Sequence, residues 1–483
     1  MPEMQNGHDP SLALRHTSTV HRRPSPLTPT LSAPEEPPVL TPRPTPLPLL
    51  KIMPLLLARL AEGVTFTVIF PYVNSMLLSF GVREQDLGFY AGIVESALMI
   101  AEATSAPLYA PLADKVGRRP VIVVLLFCWT FGGFAFGLCT SVWAVIVTRA
   151  WLGLLAGCGV LSRTMIGELC DKSNRIDGFA VFTPALTVGM TLGPLIGGLL
   201  AEPVPRMLPP SFTTFVTHPY LLPAMVAAGI TATAAITAVF FLSETLDRQT
   251  RSDGSGGGFK QLMRYKPFQT VVLLYSMNNG VMFSWEAIYP LFLYTRPELG
   301  GIGLQIHEIG IILALAAMLS IFMTAFVFPR MHRRIPDQYF LSMCLIAYPL
   351  GVVFFPLIWA ASRQGLGPTG YILMSLQMVL RRTGDFASTL LDTVVLDAIP
   401  GPEHLAMANS LTFSMASIAR AIGPFIISWC FAVSTTFNVP WRFFVWFAFL
   451  AASIPSVLLS RSMKIEEDSP VDAEERHELI SRR

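Results

Sequence analysis

The sequence predicts an all-α membrane protein whose twelve transmembrane helices form two six-helix pseudo-repeats. Composition is the first observation: 52% of the 483 residues are hydrophobic and 14% are charged, whereas soluble domains carry roughly 25% charged residues. The second is a series of twelve apolar stretches, each near the roughly 20 residues that cross a bilayer. The third is that landmark residues of the first six stretches recur in the last six. An ordinary soluble domain is therefore excluded.

The predicted helices follow one another in two halves, with polar segments before, between and after them. The twelve stretches are residues 53–78, 87–109, 120–140, 142–162, 179–201, 219–242, 268–294, 306–328, 338–361, 369–392, 405–432 and 440–460. The predicted domains are a disordered proline-rich cytosolic arm at 1–48, an N-terminal half at 49–243, a cytosolic linker at 244–267, a C-terminal half at 268–460 and an acidic cytosolic tail at 461–483. The arm holds 12 of the 39 prolines, a composition typical of disorder.

Positive charges predict which helix ends face the cytosol. If both termini are cytosolic, 24 of the 34 lysines and arginines lie on the inner side, as expected from the excess of these residues in cytoplasmic loops. Five arginines remain inside the predicted helices: Arg59, Arg149, Arg381, Arg382 and Arg420. Ionisable side chains within a membrane are costly and mark pathways for ions or substrates. These five arginines are therefore functional candidates.

Two independent landmarks support the repeat. Arg149 in the fourth stretch corresponds to Arg381 in the tenth, and Gly193-Pro194 in the fifth corresponds to Gly423-Pro424 in the eleventh, at nearly the same offset. Internal repeats of this kind place a transporter's substrate site between them. The sequence therefore predicts a site on the facing surfaces of the two halves.

A short charged loop separates the second and third stretches. Its sequence runs Ala-Pro-Leu-Ala-Asp-Lys-Val-Gly-Arg-Arg-Pro over residues 110–120, and its charge and glycine suit a helix that ends where its backbone meets water. The loop resembles the signature loop of the major facilitator superfamily of transporters, with Ala110 where the family has glycine. The resemblance implies a gating contact between Asp114 and the start of the eleventh helix near Leu405. The gating residues it implies are Asp114, Gly117, Arg118 and Arg119.

Glycines recur every four residues in the fifth stretch and end in a Gly-Gly pair. Such spacing allows a neighbouring backbone to approach closely, and a proline within the helix removes one hydrogen bond. Ordinary packing between helices explains this pattern by itself. The whole string also resembles the fifth-helix motif of the family's drug and proton antiporters. The residues that match that motif are Gly189, Gly193, Pro194, Gly197 and Gly198.

The resemblance assigns Arg149 to proton coupling, although Leu152 replaces the glutamine usual in the family. A purely structural ion pair is the alternative, since buried pairs do occur without function. The candidate proton carriers are Glu62, Glu95 and Glu102, because burial of a carboxylic acid favours its neutral form. Glu62 lies three residues after Arg59, so the two can neutralise each other. Glu102 lies about 12 Å by helical rise from the charged loop, which favours Glu95 and Glu62.

Polar residues of the second half are candidates for substrate binding, together with Arg59. Arg382 and Asp385 are three residues apart and can pair on one helix face, whereas the adjacent arginines 381 and 382 are not expected to face one cavity. Trp285, beside Glu286, is more often a packing or interface residue. The substrate-binding candidates are Arg59, Asn278, Asn279, Glu286, Arg381, Arg382, Asp385 and Arg420.

Several other classes of function have no support in the sequence. The six cysteines show no Cys-x-x-Cys spacing, the eight histidines form no pair in or beside the stretches, and no Gly-x-x-x-x-Gly-Lys-Ser/Thr loop occurs. We therefore expect no metal, no cofactor, no ATP-binding loop and no enzymatic activity. The expected partners are the lipid bilayer, a small-molecule substrate and protons, with no nucleic acid, and a monomer is expected.

Four further segments resemble a fungal branch of the drug and proton antiporters, similar to plant zinc-induced facilitators. They are Arg59-Leu-Ala-Glu62, Ile69-Phe-Pro-Tyr72, Leu242-Ser-Glu-Thr245 and Arg420-Ala-Ile-Gly-Pro424. The resemblance implies proton-coupled export of a small organic molecule, a secondary metabolite or xenobiotic, by alternating access. It favours the plasma membrane over the vacuolar membrane. The alternatives are proton-coupled uptake of a nutrient or chelator and a non-transporting membrane sensor on the same fold.

Overall fold

The structure is a computed structural model and describes residues 46–170, 174–245, 262, 264–363, 365–399, 405–437 and 441–462. The predicted N-terminal arm up to residue 45, most of the predicted linker and the tail after residue 462 lie outside these residues. Within the described residues the regular structure is helical, and no strand occurs.

A helix covers each of the twelve predicted stretches. The first half contains α1 (Leu49–Thr67), α2 (Val73–Ser79), α3 (Leu87–Val116), α4 (Arg118–Gly137), α5 (Val142–Leu154), α6 (Gly157–Leu169), α7 (Arg175–Leu200), α8 (Thr213–Thr217) and α9 (Leu221–Phe241). The second half contains α10 (Lys266–Tyr294), α11 (Ile306–Phe322), α12 (Phe328–His332), α13 (Asp337–Ser362), α14 (Pro368–Asp397), α15 (Leu405–Thr435) and α16 (Phe444–Ser462).

Three of the predicted helices are interrupted. The first is broken between α1 and α2, where Pro71 lacks a backbone N–H. The fourth is broken between α5 and α6, where Leu155 and Ala156 donate to carbonyls three residues earlier, at 3.2 and 3.1 Å. The eighth passes through a single π-helical turn at Met323–Val327, just before Pro329. Hydropathy alone carries no signal for such local turns.

Eight helical segments of the described chain are long and apolar enough to cross a membrane by length and composition. Among the helices of more than ten residues, those that fall outside this group are α1, α7, α10 and α14. Of these, α1, α10 and α14 carry charged residues in the middle of their sequence. The chain is therefore a multi-pass membrane protein of helices, while the count of twelve crossings remains a prediction.

Helices pack within each half and also between the halves. In the first half α1 packs on α7 and α9, and α3 on α5; in the second half α10 packs on α15, and α13 on α14 and α16. The two most extensive contacts between the halves are those of α3 with α15 and of α7 with α11, and α3 also touches α10. We call the end of the bundle that carries residues 114–119 the linker end, and the end that carries residues 84, 202 and 296 the opposite end.

The glycines of α7 make the close helix contacts that their spacing predicts. A Cβ at Gly189 would lie 3.1 Å from the Cα of Gly63 in α1, and one at Gly193 would lie 3.0 Å from the carbonyl oxygen of Val64. On another face of α7, a Cβ at Gly198 would lie 2.6 Å from the Cα of Gly310 in α11. The string therefore joins α7 to α1 within its half and to α11 across the halves.

The proline of the same string leaves one carbonyl without its helical donor, that of Met190 four residues earlier. Thr67 of α1 lies next to this oxygen, with its hydroxyl 3.3 Å from Met190 O while it also donates to Gly63 O at 2.8 Å. The hydroxyl group of Thr67 in α1 thus faces the position in α7 where a backbone hydrogen bond is missing.

Candidate functional site

The ion pair between Arg149 of α5 and Glu95 of α3 is the most deeply buried of the interior pairs. The guanidinium Nη2 donates to the Glu95 carboxylate at 3.0 Å, and the two side chains are 1% and 8% exposed. Arg149 is also the residue that the family resemblance assigns to proton coupling. Since both partners lie in the first half, the pair holds α3 and α5 together.

A second pair lies within α1, as its spacing predicts. Arg59 donates to Glu62 at 2.6 Å, and both side chains are partly exposed, at 15% and 22%. Gly159 of α6 faces the pair, because a Cβ there would lie 2.6 Å from the Glu62 carboxylate. The guanidinium also lies 5.6 Å from the ring centre of Phe182 in α7. This pair is self-neutralising and retains some access to water.

The second half holds a cluster of four charges. Arg381 contacts both Glu286, at 2.5 Å, and Asp385. Arg382 lies 3.0 Å from Asp385 and 3.7 Å from Glu286. The Tyr348 hydroxyl of α13 donates to Asp385 at 2.9 Å. The cluster therefore joins α10, α13 and α14.

This geometry corrects one expectation. The adjacent arginines 381 and 382 converge on the same two carboxylates, although adjacent helix positions point about 100° apart. The reason is that Asp385 follows them by four and three residues, and both spacings place side chains next to each other on a helix. Two long guanidinium side chains can thus meet one carboxylate from neighbouring positions.

A fourth pair crosses from one half to the other. Arg420 of α15 lies 3.8 Å from Glu102 of α3, which is longer than a hydrogen bond. Its guanidinium donates to Ser417 at 2.6 Å and lies over two rings, 5.3 Å from the centre of Phe283 and 5.0 Å from that of Phe413. Arg420 is thus fixed by its own half, while Glu102 approaches it from the other.

The remaining polar candidates of α10 differ in their surroundings. Asn278 is fully buried, and its side-chain amide has no hydrogen-bond partner among the described residues. Asn279 donates to Tyr275 O at 2.9 Å, one turn earlier in the same helix. Trp285 packs against the rings of Phe355 and Phe449, with ring centres 5.2 and 5.5 Å away. Trp285 therefore has the packing role that the sequence favours, and Asn278 retains unused hydrogen-bonding capacity.

The charged loop is fastened by a carboxylate from another segment. Glu244, just after α9, accepts from the backbone N–H groups of Arg118 and Arg119 at 3.0 and 3.2 Å. Gly117 has a φ of 113°, and a Cβ there would lie 2.7 Å from the Glu244 carboxylate. Glycine is needed for both reasons. A carboxylate at the N-terminus of α4 also suits the helix dipole.

The residues that the resemblance assigns to gating make their contacts in the first half. Asp114 lies 3.5 Å from Arg118, and its side chain is 59% exposed. Arg118 also contacts Glu168 of α6, and Arg119 donates to Val239 O at 2.6 Å. The side chain of Leu405, at the predicted contact of Asp114, lies outside the described residues.

Charged residues also meet at the opposite end. Arg296 of the second half lies 3.1 Å from Glu84 of the first half, with side chains 70% and 36% exposed. Both residues line a cavity of about 560 Å³, and Glu202, Arg206 and His307 also line it. This cavity lies between helices of the two halves.

Sequence reasoning missed three contributors to these sites. Tyr348 and Ser417 carry no local signal, because only packing brings them to Asp385 and Arg420. Glu244 lies in the Leu-Ser-Glu-Thr segment that resembles the antiporter branch, so the sequence did point to it. Its role as the cap of α4 is visible only in the structure. Among the described residues, no group of three or more His, Cys, Asp or Glu side chains is placed to hold a metal ion.

The arrangement has a simple electrostatic property. The five arginines picked out from the sequence each lie within 4 Å of a carboxylate from the set Glu62, Glu95, Glu102, Glu286 and Asp385. Carboxylates can take up and release protons, whereas guanidinium groups stay charged. The carboxylates are therefore the members of these pairs whose charge a proton can change.

Comparison with known proteins gives concordant results. The family model of the Major Facilitator Superfamily matches residues 55–380. The protein "Efflux pump azaK" of Aspergillus niger is 25% identical over 402 residues, covering 80% of this chain and 82% of that protein. "Protein ZINC INDUCED FACILITATOR 1" of Arabidopsis thaliana is 23% identical over 412 residues, covering 76% and 80%. The solved structure of the human organic anion transporter MFSD10 has a TM-score of 0.61 at 17% identity, covering 86% of this chain and 100% of that one.

Proposed function

Because the chain belongs to the major facilitator superfamily and is therefore a membrane transporter of small molecules rather than an enzyme, we propose that it exports a small organic molecule in exchange for protons by alternating access. The proposed cargo is a secondary metabolite or xenobiotic. The proposed location is the plasma membrane, with a monomeric chain and both termini in the cytosol.

The observation that carries the proposal is the matching of interior arginines with carboxylates. A transporter that merely needed a polar lining has no use for five paired carboxylates, since each charge costs free energy to bury. A proton-driven transporter needs carboxylates whose charge can be switched by a proton in one step of its cycle. The candidates for that step are Glu62, Glu95 and Glu102, with Arg149 as the fixed partner of Glu95.

The proposed substrate site lies on the facing surfaces of the halves. In the second half, Arg382, Glu286 and Asp385 retain 14–19% exposure, whereas Arg381 is 2% exposed and holds the cluster together from behind. Arg59 and Arg420 retain similar partial exposure from the first and second halves, at 15% and 14%. Asn278 and Asn279 complete the proposed set on α10.

Export is favoured by two kinds of support. The glycine string of α7 resembles the antiporter motif in all five positions, and several relatives carry the words efflux pump or multidrug transporter in their names. The alternative is proton-coupled uptake of a nutrient or chelator. Some relatives are named as zinc-induced facilitators rather than as efflux pumps, so the direction of transport is measured directly.

The test starts from the cargo. Cells with and without the gene are compared for metabolites retained inside and released outside, and the metabolite that changes is then loaded into proteoliposomes with an imposed pH gradient. We expect flux of the metabolite against the proton flow, and abolition of that flux when the gradient is collapsed. Flux in the same direction as protons identifies uptake instead. A flux that ignores the pH gradient contradicts proton coupling.

A further inference from the structure

A cavity of about 660 Å³ opens on the outer surface of the second half. Its walls come from α12, α13, α14 and α16, and its volume lies within the roughly 300–1,000 Å³ that small-molecule sites occupy. Two side chains of α13 that line it, Tyr339 and Leu350, are 71% and 51% exposed. In a multi-pass membrane protein such an outer surface faces lipid. The paired arginines and carboxylates of the proposed transport site do not line this cavity.

The cavity runs along the first turns of α13. This helix starts at the linker end, because Arg296 lies at the opposite end and α11 and α12 then cross the bundle. The lining residues of α13 extend from Gln338 to Leu350, a distance of about 18 Å by helical rise. One leaflet contributes half of the roughly 30 Å hydrocarbon core of a bilayer. The cavity is therefore about as long as the hydrocarbon region of a single leaflet.

The part of the cavity toward the middle of the membrane is apolar. Its lining side chains there are Met343, Ile346, Leu350 and Leu380. Thr383 also lines it, but its hydroxyl donates to Val379 O of the same helix at 2.9 Å. Burying a polar ligand group against such walls would cost its hydrogen bonds to water. A hydrocarbon chain has no such cost.

The part of the cavity at the linker end is polar and carries a cation. Gln338, Ser342 and Arg461 line it. The hydroxyl of Ser342 lies 3.4 Å from that of Ser460, so the last turn of α16 is held beside α13 and places Arg461 at this level. Tyr339 lies at the same level, and tyrosine is enriched where a membrane meets water. The guanidinium of Arg461 therefore stands at the depth of lipid head groups.

The two halves differ at the place where this cation lies. In the first half, Glu244 follows the sixth helix crossing and accepts from the backbone N–H groups of Arg118 and Arg119. In the second half, Arg461 ends the last crossing, and the ion pairs of the described residues do not include it. The carboxylate that fastens the charged loop of the first half thus has an arginine as its counterpart.

Positive charge dominates around this end of the cavity. Met331, which lines it, lies in a short segment with three exposed arginines: Arg330, Arg333 and Arg334. The carboxylate of Asp337 is already paired with His332 at 3.1 Å. The described residues of this region therefore attract an anion. Basic pockets between membrane helices are known to suit anionic lipid head groups.

We propose that this cavity binds an anionic phospholipid of the leaflet at the linker end, with the phosphate on Arg461 and one acyl chain along α13 and α14. A guanidinium group matches the geometry of a phosphate, to which it can donate two parallel hydrogen bonds. The length, the apolar walls and the cation at one end each fit a different part of the lipid. The site goes beyond the proposed function, because it is separate from the transport site and requires only that the chain spans a membrane.

The test measures lipid binding to the purified full-length protein in detergent by native mass spectrometry. The probes are a phosphatidylserine and a phosphatidylcholine with the same acyl chains, and glycerophosphoserine as a head group without chains. We expect phosphatidylserine to bind about fivefold more tightly than phosphatidylcholine, the contribution of one arginine facing anionic lipid. Glycerophosphoserine is expected not to bind at the concentrations that saturate the lipid site.

Two variants examine the cation. Arg461→Gln is expected to bind phosphatidylserine about fivefold more weakly, because the head group loses one arginine. Arg264→Gln is the matched control, since Arg264 is an exposed arginine at the linker end, just before α10, and does not line the cavity. It is expected to bind as the wild type does.

Two further variants examine the acyl chain. Met343→Trp fills the apolar part of the cavity and is expected to lose most of the binding of both phospholipids. Leu357→Trp is its control, because Leu357 lies on the same helix, is 48% exposed and does not line the cavity. Unfolding temperatures of all variants without lipid, equal to that of the wild type, exclude misfolding as the cause of a loss.

Several results overturn the inference. They are equal affinity for the two phospholipids, unchanged binding by Arg461→Gln, an equal loss in Arg264→Gln, and equal behaviour of the two tryptophan variants. Binding of glycerophosphoserine as tight as that of the lipid identifies a phosphate site instead.

The acidic tail is the competing occupant of the cation. Its first carboxylates, Glu466, Glu467 and Asp468, lie in the sequence beyond the described residues. Lipid binding that occurs only after Glu466→Gln, Glu467→Gln and Asp468→Asn are combined assigns Arg461 to the tail and overturns the inference. The direction and proton coupling of transport are measured by flux, so failure of the lipid site leaves the proposed function standing.

Discussion

At the scale of single residues, the interior ion pairs differ in how much water reaches them. Arg149 and Glu95 are almost fully buried, Arg59 and Glu62 keep partial exposure, and Glu102 and Arg420 lie between these extremes. Removing one partner of a buried pair leaves an uncompensated charge, which is far more costly than removing both. The deepest pair should therefore respond most strongly to single substitutions.

We expect Arg149→Met to destabilise the protein by about 3–5 kcal/mol, the range for breaking a buried ion pair, and to abolish transport. The double variant Arg149→Met with Glu95→Gln should recover most of this stability, because no buried charge is left unpaired, but should remain inactive. Thermal unfolding in detergent and flux in proteoliposomes measure the two effects. A double variant that transports normally would show that the pair is purely structural.

The identity of the charged residues was predictable from the sequence, but their partners were only partly so. Arg59 with Glu62 and Arg382 with Asp385 follow from spacing within one helix. The pairs Arg149 with Glu95 and Arg420 with Glu102 join different helices, and a single sequence carries no information on which helices touch. The convergence of Arg381 and Arg382 was missed because reasoning from the helical angle neglected the length of the arginine side chain.

At the scale of helices, small residues decide how closely the elements approach. One of the tight contacts between the halves is that of Gly198 in α7 with Gly310 in α11, where an added Cβ at Gly198 would lie 2.6 Å from the Cα of Gly310. Real Cβ atoms do not approach so closely, so the helices must move apart if a side chain is introduced.

Gly198→Ala should therefore destabilise this arrangement of the halves and alter transport, even though alanine favours helix formation. Gly229→Ala in α9 is the control, because nothing lies within 4 Å of its added Cβ, and we expect it to be neutral or stabilising by up to about 1 kcal/mol. Unfolding temperatures and flux compare the two. The idea fails if the two alanine variants behave alike.

A substitution in the charged loop is predicted to affect transport more than stability. Asp114 is 59% exposed and lies 3.5 Å from Arg118, and exposed pairs contribute about 0–1 kcal/mol. Asp114→Asn should consequently leave membrane insertion and unfolding temperature almost unchanged while depressing transport, because the implied gating contact weakens. Normal flux in a well-expressed variant counts against the gating role.

Hydrophobic length and polar interruptions were sufficient to locate the long apolar segments that form helices, because burial in lipid requires such segments. The short helix α8 (Thr213–Thr217) lies outside all twelve predicted stretches. The breaks at Pro71 and between α5 and α6 were missed, since interruptions of five and two residues leave the average hydropathy of the segment unchanged. The glycine string of α7 was correctly associated with close packing. Its division between α1 and α11 was beyond the sequence, because neighbouring glycines such as Gly197 and Gly198 point to different helices.

At the scale of the whole molecule, the halves meet mainly through the contacts of α3 with α15 and of α7 with α11. An exposed ion pair also joins them at the opposite end. The pair of Glu84 and Arg296 crosses the halves at 3.1 Å. Close by, Arg83 and Asp86 form a pair at 2.7 Å that stays within one half. The two pairs have similar chemistry and differ in whether they connect the parts that must separate.

Glu84→Gln should favour opening of the opposite end by about 0.2–1 kcal/mol, the usual contribution of an exposed pair, and this effect should vanish at high salt because ions screen exposed charges. Asp86→Asn, which breaks the neighbouring pair, should have no such effect. Exchange of the amides in residues 84–92 at low and high salt measures the difference. Equal responses of both variants contradict a latching role for Glu84.

The repeat of the two halves was visible in the sequence from Arg149 with Arg381 and from the two Gly-Pro pairs. The helix contacts between the halves could not be predicted from the sequence. They depend on which conformation the transporter adopts, and one sequence is compatible with all of its conformations. The α3–α15 and α7–α11 contacts belong to the arrangement seen in this structure.

Under the proposed exchange of one proton for one cargo molecule, the matched arginines and carboxylates also determine how transport responds to membrane voltage. The charges of the five guanidinium groups and the five carboxylates sum to zero. Binding of an inbound proton to one carboxylate then gives these groups one net positive charge. Moving one elementary charge across the membrane is worth about 2.3 kcal/mol per 100 mV. An uncharged cargo leaves that charge uncompensated on the return step, so an interior-negative potential accelerates export, whereas a cargo with one positive charge makes the exchange independent of voltage.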